Sequence, residues 1–195
     1  MKKLILVASP PACGKTYVSR LLAKELAPTV YLDKDTLAPL LGAAFSAAGA
    51  PVDMDGEFYI QNFRTAEYAT MMDVAFSALE FAPTVIVNAP FGKEVRDPEY
   101  MEAVKKRANG MGAALLLVWV AVSQDTWLRR MKSRNSSRDA GKLAAWEAYA
   151  KTVNHTPPQA LAEEKAVDGF MVFHNEDDAT AAQALAQTCQ WVAQW

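Results

Sequence analysis

Apolar residues are arranged along the chain in two patterns that alternate. Uninterrupted apolar runs indicate buried strands, whereas apolar residues three or four positions apart indicate amphipathic helices. The runs predict five strands, at Leu4–Ala8, Thr29–Asp33, Thr84–Phe91, Gly112–Val122 and Gly169–Asn175. Because helical segments separate these strands, the pattern predicts an α/β fold in which a parallel sheet carries helices on both faces.

The helical pattern is clear after the first strand, where Val18, Leu22 and Leu26 form an apolar stripe that ends before Pro28. A second helix is expected to start at a cap formed by Asp35 or Thr36 and to end near Ala47. Further helices are expected over 56–81, 98–109, 124–132 and 140–152, with a last one lined by Ala181, Leu185, Thr188 and Val192.

Composition and charge narrow the class of protein. The chain of 195 residues has 51% hydrophobic and 22% charged residues, which indicates a globular domain with a proper core. Its net charge of −2 disfavours a nucleic-acid partner. The longest apolar run, Ala113–Val122, is far short of the roughly 20 residues that span a bilayer. We therefore expect a single cytoplasmic domain over 1–195, monomeric or homodimeric, with Cys13 and Cys189 as free thiols.

The stretch from Ile5 to Ser19 contains a phosphate-binding loop of the Walker A type. It ends in Gly14-Lys15-Thr16, with Ser9 where the usual pattern has its first glycine. The motif follows the first strand and opens a helix, so backbone N–H groups and the helix dipole can bind a triphosphate. Lys15 can reach the β- and γ-phosphates and Thr16 can ligate Mg²⁺. The expected nucleotide-binding residues are Pro11, Ala12, Cys13, Gly14, Lys15, Thr16 and Tyr17.

Ser9 and Cys13 of this loop each lead to a further expectation. Ser9 can replace glycine if its φ stays negative, and two prolines after it stiffen the turn. A helix N-terminus can lower the pKa of a nearby thiol, which would make Cys13 oxidisable. The alternative is that Cys13 is simply a small loop residue.

The stretches Ile5–Leu26 and Tyr31–Leu37 resemble small P-loop kinases of the zeta-toxin, chloramphenicol-phosphotransferase and polynucleotide-kinase type. Gluconate and nucleoside-monophosphate kinases are more distantly similar. The resemblance implies a three-layer P-loop NTPase fold with a lid at about 129–141, and it implies ATP and Mg²⁺ as cofactors. An acidic residue just beyond the second strand accepts the proton of the substrate hydroxyl in those kinases. Asp35 matches that position, with Asp33 as the rival; a helix cap is the structural alternative for Asp35.

The resemblance also suggests residues for the nucleotide and for the transition state. Arg130, Arg134 and Arg138 keep the spacing of lid arginines that neutralise the transferring phosphoryl group, although a solvated basic face has the same pattern. Arg138 could equally pair with Asp139. Asn175 follows the last strand, where related kinases contact adenine.

The acceptor side is less defined by the sequence. Arg64 and Arg96 could grip an anionic group of the acceptor, or simply lie on the surface. Asn88 ends the third strand, where related proteins often have an aspartate that helps to hold Mg²⁺ through water. Since the amide keeps an oxygen but lacks the charge, its metal role stays open.

These features favour an ATP-dependent kinase that transfers the γ-phosphate to a hydroxyl of a small molecule. Two alternatives remain open on the sequence. One is an ATP-binding switch or regulatory P-loop ATPase, and the other is a toxin-type kinase that acts on a sugar nucleotide.

Overall fold

A five-stranded parallel sheet forms the centre of the molecule. The computed structural model describes residues 1–134 and 139–195. Its strands are β1 Lys2–Ala8, β2 Val30–Asp33, β3 Thr84–Asn88, β4 Ala113–Ala121 and β5 Gly169–His174. They lie in the order β2-β3-β1-β4-β5, and all neighbours are parallel. The predicted fold class is therefore confirmed.

Helices join the strands and cover the sheet. Among the described residues, the single-turn 3₁₀ helices Lys34–Leu37 and Glu94–Arg96 follow β2 and β3. The α-helices are α1 Lys15–Glu25, α2 Ala38–Ala47, α3 Glu57–Asn62, α4 Arg64–Phe81, α5 Pro98–Gly110, α6 Gln124–Arg134, α7 Ala140–Ala144, α8 Trp146–Thr152, α9 Ala160–Glu163 and α10 Asp178–Ala193. Within the described residues, no helix is both long enough and apolar enough to cross a membrane.

Side chains of β1 alternate between two apolar layers. Leu4 and Leu6 face one layer, where they join buried residues of α4 and α5. Ile5 and Val7 face the other layer, together with buried residues of α1, α6 and α10. Because both faces of the sheet are covered, its strands are apolar along almost their whole length.

Three predicted helices differ from the observed ones. The helix expected over 56–81 is broken at Phe63, whose ring packs edge-on against Phe45 at 5.2 Å. The one expected over 140–152 is broken at Ala145. The cap expected at Asp35 or Thr36 is instead Asp33, whose carboxylate accepts a hydrogen bond from the Asp35 N–H. In the first case a tertiary contact overrides the helical period, and in the third a 3₁₀ turn precedes the helix.

The topology brings the polar ends of three strands to one edge of the sheet. β1 lies between β3 and β4, with Val7 opposite Asn88 of β3 and Val118 of β4. Asp33 at the end of β2 lies opposite Asn88. The chain runs from β1 through α1 to β2 on one side of β1, whereas it runs from β3 through α5 to β4 on the other side of β1. Ligands of such sheets bind outside the carboxyl ends of the strands at this reversal point.

Gly169 at the start of β5 is expected to be sensitive to a methyl group. A Cβ there would lie 2.6 Å from Trp191 Cζ2, 2.9 Å from Trp195 Cζ2 and 3.0 Å from Leu116 Cδ2. We expect Gly169→Ala to lower the free energy of unfolding by about 1–3 kcal/mol through overpacking, as measured by urea unfolding.

The matched control is Gly42→Ala within α2, where nothing lies within 4 Å of the added Cβ. This change should raise the free energy of unfolding by about 0.5–1 kcal/mol, because alanine is the better helix former. Equal effects of the two substitutions would contradict the packing described at β5.

Candidate active site

The phosphate loop turns sharply between β1 and α1. Ala12 and Gly14 both have left-handed backbone conformations, with φ of +61° and +89°. Such alternation turns successive N–H groups toward one hollow. No side chain of the described residues caps the start of α1, so the N–H groups of its first turn are open to an anion.

Ser9 is compatible with the loop because it does not need the left-handed conformation. The residues of the loop with positive φ are Ala12 and Gly14, and Ser9 is not one of them. Its buried hydroxyl donates to the carbonyl of Pro10 at 2.8 Å. The left-handed alanine was not foreseen, since alanine seldom adopts this conformation.

Cys13 is a buried, protonated thiol. Burial raises its pKa to about 12, although Lys15 and Arg130 act in the opposite direction. Of the two interpretations of Cys13, the lowered pKa is therefore not supported, because loss of hydration outweighs the charges of Lys15 and Arg130. The alternative interpretation, a small residue of the loop, agrees with its 1% exposure.

Lys15 and Asp35 face a common cavity. The cavity measures about 450 Å³, and its lining includes Pro11 and Lys15 of the loop as well as Asp35 of the first 3₁₀ turn. Burial lowers the pKa of Lys15, while the charges of Asp35 and Asp33 oppose that shift. An ammonium group with little hydration is a strong partner for a phosphate oxygen.

Asp33 is occupied by contacts within the fold. Its Oδ1 accepts from the Asp35 N–H at 3.1 Å, and its Oδ2 accepts from the Tyr31 hydroxyl at 2.8 Å. The same hydroxyl accepts from Asn88 Nδ2 at 3.2 Å. Of the expected base and its rival, Asp35 therefore lines the cavity and Asp33 does not.

Most charges of the cavity are neutralised by ion pairs. The pairs are Lys34–Glu67 at 2.8 Å, Arg64–Glu94 at 2.7 Å, Arg134–Asp139 at 2.6 Å and Lys142–Asp55 at 2.5 Å. Within residues 1–134 and 139–195, the charged lining residues left without such a pair are Lys15, Asp35 and Lys93. Lys15 of the phosphate loop and Asp35 therefore line the same cavity as an ammonium and a carboxylate without an ion pair among the described residues.

The lid arginines occupy different positions. Arg134 lines the cavity and makes a two-point contact with buried Asp139 through Nε at 2.7 Å and Nη2 at 2.6 Å. Arg138, the other expected partner of Asp139, lies outside the described residues. Arg130 is not part of the cavity lining; it donates to the carbonyls of Cys13 at 3.1 Å and of Glu176 at 3.4 Å.

The two arginines expected on the acceptor side are also separated. Arg64 lines the cavity beside Tyr68, with its guanidinium 4.5 Å from the ring centroid. Arg96 is not brought to the cavity. Its guanidinium donates to the Thr156 carbonyl at 2.6 Å and lies 5.5 Å from the Trp119 ring. The loop after β3 therefore directs this side chain away from the expected acceptor.

Asn175 and Thr16 contact protein groups at the base of the site. Asn175 is buried, and its Nδ2 donates to the Cys13 carbonyl at 2.9 Å. The Thr16 hydroxyl accepts from Asn88 Nδ2 at 3.1 Å, whereas buried Asn88 Oδ1 has no hydrogen-bond partner among the described residues. Tyr17 points outward and is half-exposed.

Sequence reasoning missed a polar wall of the cavity. Lys34 Nζ donates to both carboxylate oxygens of buried Glu67 at 2.8 Å, and the Tyr59 hydroxyl binds the same carboxylate. In α4, Glu67 and Tyr68 lie one turn after Arg64, so all three share the face that lines the cavity. Only this helical spacing could have signalled the wall, because Lys34 is 33 residues away from Glu67.

Several solved structures with the same fold are described as kinases. A presumed kinase of Chloroflexus aurantiacus J-10-fl is 19% identical with a TM-score of 0.66, covering 99% of this chain and 94% of that chain. A sugar kinase of Janibacter sp. HTCC2649 is 12% identical, with a TM-score of 0.64 and coverage of 99% and 95%. Shikimate kinase of Bacteroides thetaiotaomicron is 14% identical, with a TM-score of 0.54 and coverage of 98% of both chains.

The class defined by fold and loop is the P-loop kinase fold. A family model described as "AAA domain" matches residues 4–156, which is most of the chain, and the chain belongs to that family. No curated protein matches the sequence. The more specific resemblance to zeta toxins, chloramphenicol phosphotransferase and polynucleotide kinases stays a prediction.

The state of Cys13 can be tested by alkylation of the native protein at pH 8. With a pKa of about 12, its thiolate fraction is about a thousandfold below that of an ordinary thiol, and burial also excludes the reagent. Peptide mapping after iodoacetamide treatment should show Cys13 unmodified in the native protein and modified after unfolding in urea.

Cys189 is the internal control, because it is only partly buried. It should be modified before Cys13 in the native protein. Faster modification of Cys13 would contradict the raised pKa and restore the expectation of a reactive loop thiol.

Proposed function

We propose that the protein is an ATP- and Mg²⁺-dependent phosphotransferase whose acceptor is a hydroxyl of a small molecule. One observation carries the proposal. Lys15 at the phosphate loop and Asp35 beyond β2 face one cavity, and both lack an ion-pair partner among the described residues. Phosphoryl transfer needs a cation on the phosphate and a proton acceptor on the attacking hydroxyl.

Each group has a defined task in this mechanism. The N–H groups of the loop and of the first turn of α1 bind the β- and γ-phosphates, and Lys15 neutralises charge on the transferring group. Asp35 accepts a hydrogen bond from the acceptor hydroxyl, orients its oxygen toward the γ-phosphorus and takes the proton as the bond to phosphorus forms. The bond between the γ-phosphorus and the oxygen that bridges to the β-phosphate breaks in the same step, and ADP leaves. Because Asp33 caps the 3₁₀ turn of Lys34–Leu37, it holds Asp35 in place.

Mg²⁺ fits the donor set at the base of the loop. Among the described residues there is no cluster of three acidic, histidine or cysteine side chains, so phosphate oxygens and water would supply most ligands. The Thr16 hydroxyl would bind the ion directly. The unpartnered oxygen of buried Asn88 is an acceptor suited to a metal-bound water. When bound, the ion would neutralise charge on the β- and γ-phosphates.

Arg134 is placed to stabilise charge on the transferring group. Its two-point contact with Asp139 holds the guanidinium at the cavity wall. A paired arginine keeps N–H donors that are free to bind phosphate oxygens, since the guanidinium has five. This supports the expected role of Arg134 and assigns Asp139 the task of orienting it.

The cavity supports a polar acceptor with several hydrogen-bonding groups. Arg64, Lys34 and Glu67 present paired charges, and the Tyr59 and Tyr68 rings lie between them. Neutral ion pairs offer donors and acceptors together, which suits hydroxyl groups. The descriptions of a sugar kinase and a shikimate kinase among the similar structures are consistent with such an acceptor.

Asp35→Asn should lower kcat by about a hundred- to ten-thousandfold, the usual contribution of a general base. ATP affinity should stay near that of the native protein, because Asp35 lies on the acceptor side. The measurement is transfer of ³²P from [γ-³²P]ATP to a panel of sugars, polyols and hydroxy acids, followed by kinetics on the best acceptor. Lys15→Ala is the inactive reference.

The matched control is Asp33→Asn, which makes the same replacement of a carboxylate oxygen by an amide nitrogen at the other aspartate. Asparagine caps a helix as well as aspartate, but its amide nitrogen cannot accept the hydrogen bond of the Tyr31 hydroxyl. The change should therefore lower the free energy of unfolding by about 1 kcal/mol and reduce kcat by less than tenfold. The reverse order of kcat effects would assign the base to Asp33. ATP binding without transfer to any acceptor would overturn the proposed activity.

A further inference from the structure

Three side chains bind the outer face of the phosphate loop. Trp127 Nε1 of α6 donates to the Pro11 carbonyl at 2.8 Å. Arg130 Nη1 of the same helix and Asn175 Nδ2, just after β5, donate to the Cys13 carbonyl at 3.1 and 2.9 Å. The residues that these contacts join are 116 to 162 positions apart in the sequence. The two carbonyls therefore point away from the side of the loop that would hold phosphate.

Because a peptide unit is planar, these contacts also fix the direction of N–H groups in the phosphate loop. In a trans peptide unit the C=O and the N–H point in opposite directions. Fixing the Pro11 carbonyl outward therefore directs the Ala12 N–H inward, and fixing the Cys13 carbonyl outward directs the Gly14 N–H inward. Since Pro10 and Pro11 have no N–H, Ala12 supplies the first donor of the cradle.

The loop needs external support because its backbone is strained. Ala12 has a φ of +61°, a conformation that disfavours residues with a Cβ. Such a conformation persists when the surroundings hold it in place. Gly14 also makes room for the support, since a Cβ there would lie 2.4 Å from Asn175 Nδ2 and 3.3 Å from Arg130 Nη1.

The supporting side chains are themselves anchored. The Trp127 ring packs against Trp146 at 4.5 Å and against His155 at 4.1 Å between ring centroids. Asn175 is buried, and its backbone N–H donates to the Ala121 carbonyl at 3.0 Å. Arg130 also binds the Glu176 carbonyl. The outer face of the loop is thus tied to α6 and to the segment after β5.

We propose that Trp127, Arg130 and Asn175 are positioning residues that hold the peptide units of Pro11–Ala12 and Cys13–Gly14 with their N–H groups toward phosphate. The proposal rests on the proposed function, because it assumes that the loop binds a polyphosphate. It gives Asn175 a role at the loop in place of the adenine contact implied by the resemblance. Likewise, it gives Arg130 a role at the loop in place of the direct contact with the transition state that the resemblance implied.

The test compares ATP with sodium tripolyphosphate, which lacks the base and sugar, by isothermal titration calorimetry in MgCl₂. Asn175→Leu and Trp127→Phe remove one neutral donor each, so neither changes charge near the phosphates. Each should weaken both ligands by a similar factor, about three- to tenfold for one hydrogen bond. Trp146→Phe is the matched control, since it alters the same aromatic cluster without touching the loop, and its affinities should equal those of the native protein.

A spectroscopic readout reports on the peptide unit itself. Cys13-Gly14 is the sole Cys-Gly pair in the chain, so ¹³C-carbonyl cysteine and ¹⁵N-glycine together give one HNCO peak. In the native protein, tripolyphosphate should move the Gly14 amide proton downfield. In Asn175→Leu this shift should fall to less than half of its native size. Without ligand, the Cys13 carbonyl carbon of this variant should lie upfield of its position in the native protein.

The outcomes separate this proposal from the proposed function. Weaker ATP binding with unchanged tripolyphosphate binding in Asn175→Leu would restore the adenine contact and overturn the role of Asn175. Native affinities and an unmoved peak in both variants would overturn the proposal while the kinase assignment stands. If the native protein bound neither ATP nor tripolyphosphate, both this proposal and the proposed function would be wrong. Should one variant not fold, as judged by circular dichroism, the other carries the test, because each removes a different carbonyl contact.

Discussion

The site depends on the burial of β1 between β3 and β4. A strand that is covered on both faces and paired along both edges has nowhere to continue except out of the sheet, at its carboxyl end. The phosphate loop therefore starts at a point that the hydrophobic core holds rigidly. Asp33 and Asn88 reach the same edge because the parallel register places β2 and β3 beside it.

Charge pairing defines the chemistry of the cavity above that edge. Buried carboxylates such as Glu67 and Asp139 are unfavourable without partners, and each has a cation within 3 Å. Pairing on this scale neutralises most of the walls and leaves Lys15, Asp35 and Lys93 as the charged lining residues without an ion pair in the described part of the chain. Arg134 and Arg64 belong to the walls as well as to the expected site, and their acidic partners fix the orientation of both guanidinium groups.

How much could be predicted from the sequence differs between the sheet and the site. The five strands and the parallel sheet followed from apolar runs, because a strand buried on both faces has a recognisable composition. The ends of several helices were less predictable. The helix predicted over 56–81 is broken at Phe63, whose ring packs against Phe45. Asp33 caps a 3₁₀ turn that the apolar period does not reveal. Both depend on contacts that the local pattern does not encode.

The sequence by itself determined the phosphate loop, its place after the first buried strand and the pair of aspartates beyond the second. These features are local, since a glycine, a lysine and a hydroxyl residue act through neighbouring peptide units. Only the tertiary structure placed Asp35 but not Asp33 in the cavity lining, raised the pKa of Cys13 and directed Arg130 and Asn175 to carbonyl groups of the loop. Each of these depends on burial or on partners more than 100 residues away, or on which carboxylate the fold already uses. Neither burial nor distant partners can be read from the spacing of residues along a chain.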